Sequence, residues 1–170
     1  MDIAIVLFEN VTLLDAVGPY EVLHNLPGTN VTFVATEPGT KRSEGGLPVV
    51  AEAALAEVTA PDVVLVPGGP GQVQAEQDEQ LLSWLREVDK TTTWTTSVCT
   101  GAFVLGAAGL LQGKRATTYW MALEQLSRHG AIPVAERYVF DGKVATAAGV
   151  SAGIDMALAL VGQMAGDDIA

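Results

Sequence analysis

One cysteine in 170 residues excludes an internal disulfide, and with only two histidines beside it the chain is poorly supplied with metal ligands. Basic residues are scarce as well: 9 Lys and Arg stand against 20 Asp and Glu, a formal charge of −11. That balance repels polyphosphate and anionic lipid, so neither nucleic acid nor a membrane surface is an expected partner. Long apolar runs are missing too. No stretch approaches the roughly 20 apolar residues that span a bilayer. The opening "MDIAIVLFEN" has an acidic second residue and a short apolar run, lacking the basic flank and the length of a secretory signal. These absences predict a cytoplasmic protein of a reducing compartment, with no metal and no other cofactor.

What the chain does have is apolar residues, 49% of the total, enough for one ordinary domain with a substantial core. No linker, repeat or low-complexity tract divides it, so residues 1–170 are read as a single domain. "IAIVLF", "NVTFVAT", "PDVVLVPGG", "TTTWTTSV" and "KVATAAG" are short, β-rich and apolar on both faces, the pattern of strands covered from both sides. Helical patterns lie between them. "DAVGPYEVLHNL" puts Val17, Val22, Leu23 and Leu26 on one face, "DEQLLSWLREV" does so with Leu81, Leu82, Leu85 and Val88, and "YWMALEQLSRHG" ends in a glycine suited to a C-cap. This alternation predicts an α/β fold: a doubly wound, mainly parallel sheet with helices on both faces. "TKRSEGGLPVVAEAAL" and "VAERYVFDGKVATA" read as antiparallel excursions, the second turning at Asp141-Gly142. In such sheets ligands bind at the carboxyl ends of the strands.

Cys99 falls at one of those ends. "TTTWTTSV" reads as a strand and "GAFVLGAAGLL" as a helix, with the thiol at the junction and Gly101 making room for a sharp turn. The helix N-terminus then offers N–H groups and partial positive charge, which favour thiolate over thiol. The competing reading is a small buried hydrophobe, the commoner fate of a free cysteine.

Three more features share that edge. Gly68 and Gly69 in "VVLVPGGPG" allow backbone N–H groups to face a developing negative charge, although an ordinary tight turn after a buried strand is the commoner reason for them. No GK[ST] or GxGxxG follows, which leaves no nucleotide signature. Asp15, after the first strand's loop, is either a carboxylate of the site or a helix N-cap. Glu21 is a second carboxylate in range, or a solvated one. His24 and His129 lie away from any predicted strand end and are read as structural or surface residues.

With Asp15, the Gly68-Gly69 turn and Cys99 in this order, the sequence resembles the PfpI/ThiJ superfamily, the flavodoxin-like group related to class I glutamine amidotransferases. "LLDAVGPYEVL", "VVLVPGGPG", "SVCTGAFVLGAAGLLQGKRATT" and "TAAGVSAGIDMAL" each match a characteristic block, in order. The resemblance implies a flavodoxin-like single domain, Cys99 as the elbow nucleophile and Asp15 as the acidic group facing it. It also implies a homodimer whose contact borders the site. After "GKRATT" many relatives carry His, which completes a cysteine–histidine site. Here that position is Tyr119, and a phenol with an unperturbed pKa near 10 is a poor general base.

The combination of Asp15 with Cys99-Thr100 resembles the isonitrile hydratases of the superfamily. That resemblance implies Cys99, Asp15 and Thr100 as catalytic residues, with Gly68 and Gly69 as backbone donors to a small-molecule substrate; Thr100 is otherwise a helix-start residue filling hydrogen bonds, and Tyr119, Trp120 and Val150 either line the pocket or pack in the core. The implied reaction is cysteine-dependent hydration of an isonitrile to an N-substituted formamide through a thioimidate, the work of a hydro-lyase. The same blocks also resemble the sensor domain of AraC-type regulators, so a ligand- or oxidation-sensing protein without turnover stays open. So does another hydrolase or amidase of the group. No basic segment follows the last helical pattern to read DNA.

Overall fold

The computed structural model describes residues 1–166 and 168–170. Its frame is a seven-stranded sheet whose five longer parallel strands are those anticipated from the sequence. The strands in chain order are β1 (Asp2–Val6), β2 (Asn30–Ala35), β3 (Gly39–Arg42), β4 (Pro48–Ala51), β5 (Ala53–Ala54), β6 (Val63–Val66), β7 (Trp94–Val98), β8 (Arg115–Ala116), β9 (Ile132–Pro133), β10 (Tyr138–Asp141) and β11 (Val144–Ala147). The main sheet runs β10-β11-β7-β6-β1-β2-β5, with every neighbouring pair parallel except β10 and β11. The helices are α1 (Leu13–Leu23), α2 (Gln72–Ala75), α3 (Glu79–Asp89), α4 (Gly101–Ala107) and α5 (Ala152–Ala165).

Strand alternation divides the core. Ile3, Ile5, Val63 and Leu65 point to one face, where Leu23 of α1 and Met156 and Leu160 of α5 cover them. Ala4, Val6, Val64 and Val66 point to the other, against Leu81 and Leu85 of α3 and Phe103 and Leu105 of α4. Both faces are therefore dry, which is why these strands are apolar without a break. Among the described residues no helix is long and apolar enough to cross a membrane.

The Asp141-Gly142 turn behaves as the sequence indicates. Gly142 takes a φ of 63° and joins β10 to β11 as an antiparallel hairpin. In α3, Asp78 caps the first turn by accepting from the N–H groups of Gln80 and Leu81. The excursion around residues 40–55 is antiparallel only in part. β3 and β4 pair as a separate ribbon, while β5 joins the edge of the main sheet parallel to β2.

Two expectations need correction. Trp120–His129 is a run of 3₁₀ turns rather than an α-helix: only Leu126 is buried along it and no side chain caps its start. The helix after Cys99 stops at Ala107, and the chain reverses through Gly109 at a φ of 84°.

Candidate active site

β7 delivers the chain to the centre of the sheet's carboxyl edge and α4 carries it away, with Cys99 at the reversal. A φ of 56° puts this residue in the left-handed region that side chains rarely enter. Its N–H donates to the carbonyl of Ala147 at 2.9 Å, continuing the β7–β11 ladder. The turn works because Gly101 has no side chain: a Cβ there would lie 2.1 Å from the Val66 carbonyl oxygen.

Asp15 meets the elbow from α1. The N-cap of that helix is Thr12, so Asp15 is not a cap but a residue of the first turn, turned inward and fully buried. Its Oδ2 accepts the Gly68 N–H at 3.1 Å, and its Oδ1 has no hydrogen-bond partner among the described residues. Burial pushes the carboxyl from 3.8 to about 7, against the pull of the Gly68 N–H and the neighbouring Cys99 thiol. The thiol is thus near enough to be felt without forming a hydrogen bond of good geometry.

Glu44 adds to that upward push. Its carboxylate accepts the Thr12 hydroxyl at 2.8 Å, and its N–H donates to the Val11 carbonyl at 3.0 Å. The sequence carried no signal for Glu44, because it reaches the site only through the β3–β4 ribbon folding over the loop after β1.

The thiol departs from expectation. Burial, and next the Asp15 charge, push Cys99 up to about 12, outweighing the Thr100 N–H and hydroxyl that favour thiolate. A helix of seven residues supplies too little field to offset the desolvation. Burial and the Asp15 charge thus both favour the protonated sulfur.

Gly68 and Gly69 also require correction as free donors. The Gly68 N–H is taken by Asp15 and the Gly69 N–H donates to the Thr100 hydroxyl at 3.0 Å. Gly68 is nevertheless needed where it stands, since a Cβ there would come within 2.6 Å of the Thr100 nitrogen. The glycine turn holds Asp15 and Thr100 in place instead of addressing a ligand directly.

Tyr119, Trp120 and Val150 line an open pocket of about 500 Å³ with Thr117, Thr118 and Gly149. A Cβ on Gly149 would stand 3.2 Å from the Cys99 sulfur, so this wall of the pocket backs directly onto the thiol. Glu21 stays outside, exposed and 3.5 Å from His24. His129 packs over Gly106 on the opposite face of the sheet, 3.5 Å from Glu76. Among the described residues no histidine is hydrogen-bonded to Cys99 or Asp15, and no cluster could hold a metal ion.

Comparison with known proteins decides the family. The DJ-1/PfpI family model matches residues 1–163. The chain belongs to the DJ-1/PfpI family. It is 44% identical over 170 residues to the isonitrile hydratase of Pseudomonas putida, an alignment covering all of this chain and 75% of that enzyme. A relative of another kind, the HTH-type transcriptional regulator CdhR of Pseudomonas aeruginosa, is 32% identical over 139 residues, 81% of this chain and 41% of the regulator. Among solved structures, a ThiJ/PfpI family protein from Pseudomonas syringae superposes with a TM-score of 0.96 at 34% identity, covering 99% of this chain and 70% of that one.

Proposed function

We propose that this DJ-1/PfpI protein hydrates a small isonitrile to an N-substituted formamide, with Cys99 as nucleophile and Asp15 as proton carrier. The observation that carries this reading is the Asp15 carboxyl itself: fully buried, one oxygen unpartnered among the described residues, beside the buried Cys99 thiol. The likeness to the Pseudomonas putida isonitrile hydratase supports the choice of substrate.

An isonitrile carbon accepts a soft nucleophile and becomes basic as the bond forms, so it needs a thiol and an acid at one point. Asp15 takes the Cys99 proton as sulfur bonds to the terminal carbon, then returns that proton to the carbon, giving a thioimidate, R–N=CH–S. Water then adds to the carbon while Asp15 accepts one of its protons. The remaining O–H proton of the adduct passes to nitrogen, the C–S bond breaks as the C=O bond forms, and the proton held by Asp15 goes back to sulfur. The sum is one isonitrile plus one water to one formamide, with the enzyme unchanged. A carboxyl near pH 7 serves both directions, as acid and as base, without a histidine.

Thr100 orients the reacting sulfur through its N–H and hydroxyl, with the Gly68-Gly69 turn fixing both Thr100 and Asp15. The substituent R occupies the pocket edged by Tyr119, Trp120 and Val150. A homodimer whose contact borders this mouth would leave Trp120 and Val150 at its rim. Incubation with an aliphatic isonitrile and detection of the formamide tests the reading, and Cys99→Ala must abolish the product. The burial of the Cys99 thiol favours a ligand sensor as the second reading: binding of the isonitrile with no formamide formed would select it.

A further inference from the structure

A strained peptide persists only where its neighbours pin it. The Cys99 N–H is pinned by the ordinary strand ladder, through Ala147 of β11. The Cys99 carbonyl has left that ladder. The Ala102 N–H approaches it at 3.4 Å, a weak contact, whereas the Thr118 hydroxyl donates to it at 2.7 Å in a fully buried setting.

Thr118 is itself held by the residue before it. The Thr117 N–H donates to the Thr146 hydroxyl at 2.9 Å, and the Thr117 hydroxyl donates to the Glu136 carbonyl at 3.1 Å. Thr146 immediately precedes Ala147, which holds the other end of the Cys99 peptide. The links therefore close a ring, from Ala147 to Cys99 to Thr118 to Thr117 and back through Thr146. Tyr119, next along the same segment, forms the pocket wall.

We propose that Thr118 is a positioning residue for the nucleophile: its hydroxyl clamps the Cys99 carbonyl and so fixes the direction in which the sulfur leaves the backbone. Thr118 acts through the Cys99 peptide rather than on substrate. The proposal rests on the reading of Cys99 as nucleophile, and one of its readouts needs no isonitrile.

Thr118→Val keeps the shape and removes the donor; Thr118→Ser keeps the donor and removes a methyl. Three quantities are measured on each: isonitrile turnover, the rate of Cys99 alkylation by iodoacetamide, and Tm. In Thr118→Val, kcat and the alkylation rate fall on the order of 10- to 100-fold, as for a displaced reacting group, while KM stays within about twofold. In Thr118→Ser both rates stay within about threefold of wild type. The clamp is overturned if Thr118→Val alkylates and turns over as fast as wild type or faster, with only Tm lowered. It is equally overturned if Thr118→Ser loses both rates, so the serine variant decides should the valine variant not fold. A wild type that forms no formamide, with alkylation still slowed in Thr118→Val, retires the hydration reading and leaves the clamp standing.

Discussion

Asp15 accepts the Gly68 N–H with one carboxyl oxygen while the other, equally buried, has no partner among the described residues. A buried polar atom left unsatisfied costs roughly 1–3 kcal/mol, and sites of this kind concentrate where chemistry is done. Asp15→Asn preserves the acceptor for Gly68 but cannot carry a proton between sulfur and carbon. Formamide production should fall by about 100-fold or more, the usual span of a general acid. Turnover near the wild-type rate would dismiss Asp15 as proton carrier.

The same substitution has a signature in stability. Asp15 ionises near 3.8 when exposed and near about 7 in the folded protein, because burial disfavours its charge. Folding thus favours the protonated carboxyl, a contribution complete below pH 4 and lost as pH rises through 7. Asp15→Asn titrates nothing there. Its stability relative to wild type should climb between pH 5 and pH 8 by an amount on the order of 2 kcal/mol or more. Urea unfolding of both proteins across that range measures it, and a pH-independent difference would contradict the raised carboxyl.

Removing the Asp15 charge should also release the thiol in part. Burial is the larger reason Cys99 is pushed up to about 12, and the Asp15 carboxylate is the next. In Asp15→Asn the second cause is gone and the first stays, so the Cys99 titration, followed by thiolate absorbance, moves down while remaining above that of a free cysteine. A midpoint unchanged by the substitution would mean that the two groups do not interact.

The sequence made the sheet and the elbow readable because both are local matters. Unbroken apolar strands such as Val63–Val66 announce cover on both faces, and a cysteine between a β-branched run and Gly101 announces a sharp strand-to-helix turn. The state of the groups at that turn was not local. Whether the Gly68 and Gly69 N–H groups are free depends on Asp15 and Thr100, placed 53 and 31 residues away. The thiol's shift likewise reflects burial by the assembled fold, which overrides the short helix behind it. Glu44 and Thr118 reach the site only by tertiary folding, and residues 120–129 kept a helical pattern without the buried stripe that would make an α-helix of it.

Gly101 offers a test of the elbow without touching its chemistry. A Cβ there would meet the Val66 and Pro67 carbonyl oxygens at 2.1 and 2.7 Å, both backbone atoms that cannot step aside. Gly101→Ala should cost about 3 kcal/mol or more, or displace the Cys99 turn and with it the reactivity of the thiol. A variant with wild-type Tm and wild-type alkylation rate would show that the turn tolerates a side chain.

Trp120 separates packing from recognition. It is 73% exposed and touches Tyr119 ring to ring at 5.9 Å, while facing the pocket that backs onto the sulfur. Its loss should change stability by no more than about 0.5 kcal/mol. A bulky apolar isonitrile that stacks on the ring would lose about 1 kcal/mol of binding in Trp120→Ala, roughly a fivefold rise in KM. Because that contact is made equally before and during reaction, kcat should not change, and a methyl isonitrile too small to reach the ring should show no effect. A rise in KM that ignores substituent size would place the substrate elsewhere, and a large fall in Tm would return Trp120 to the core.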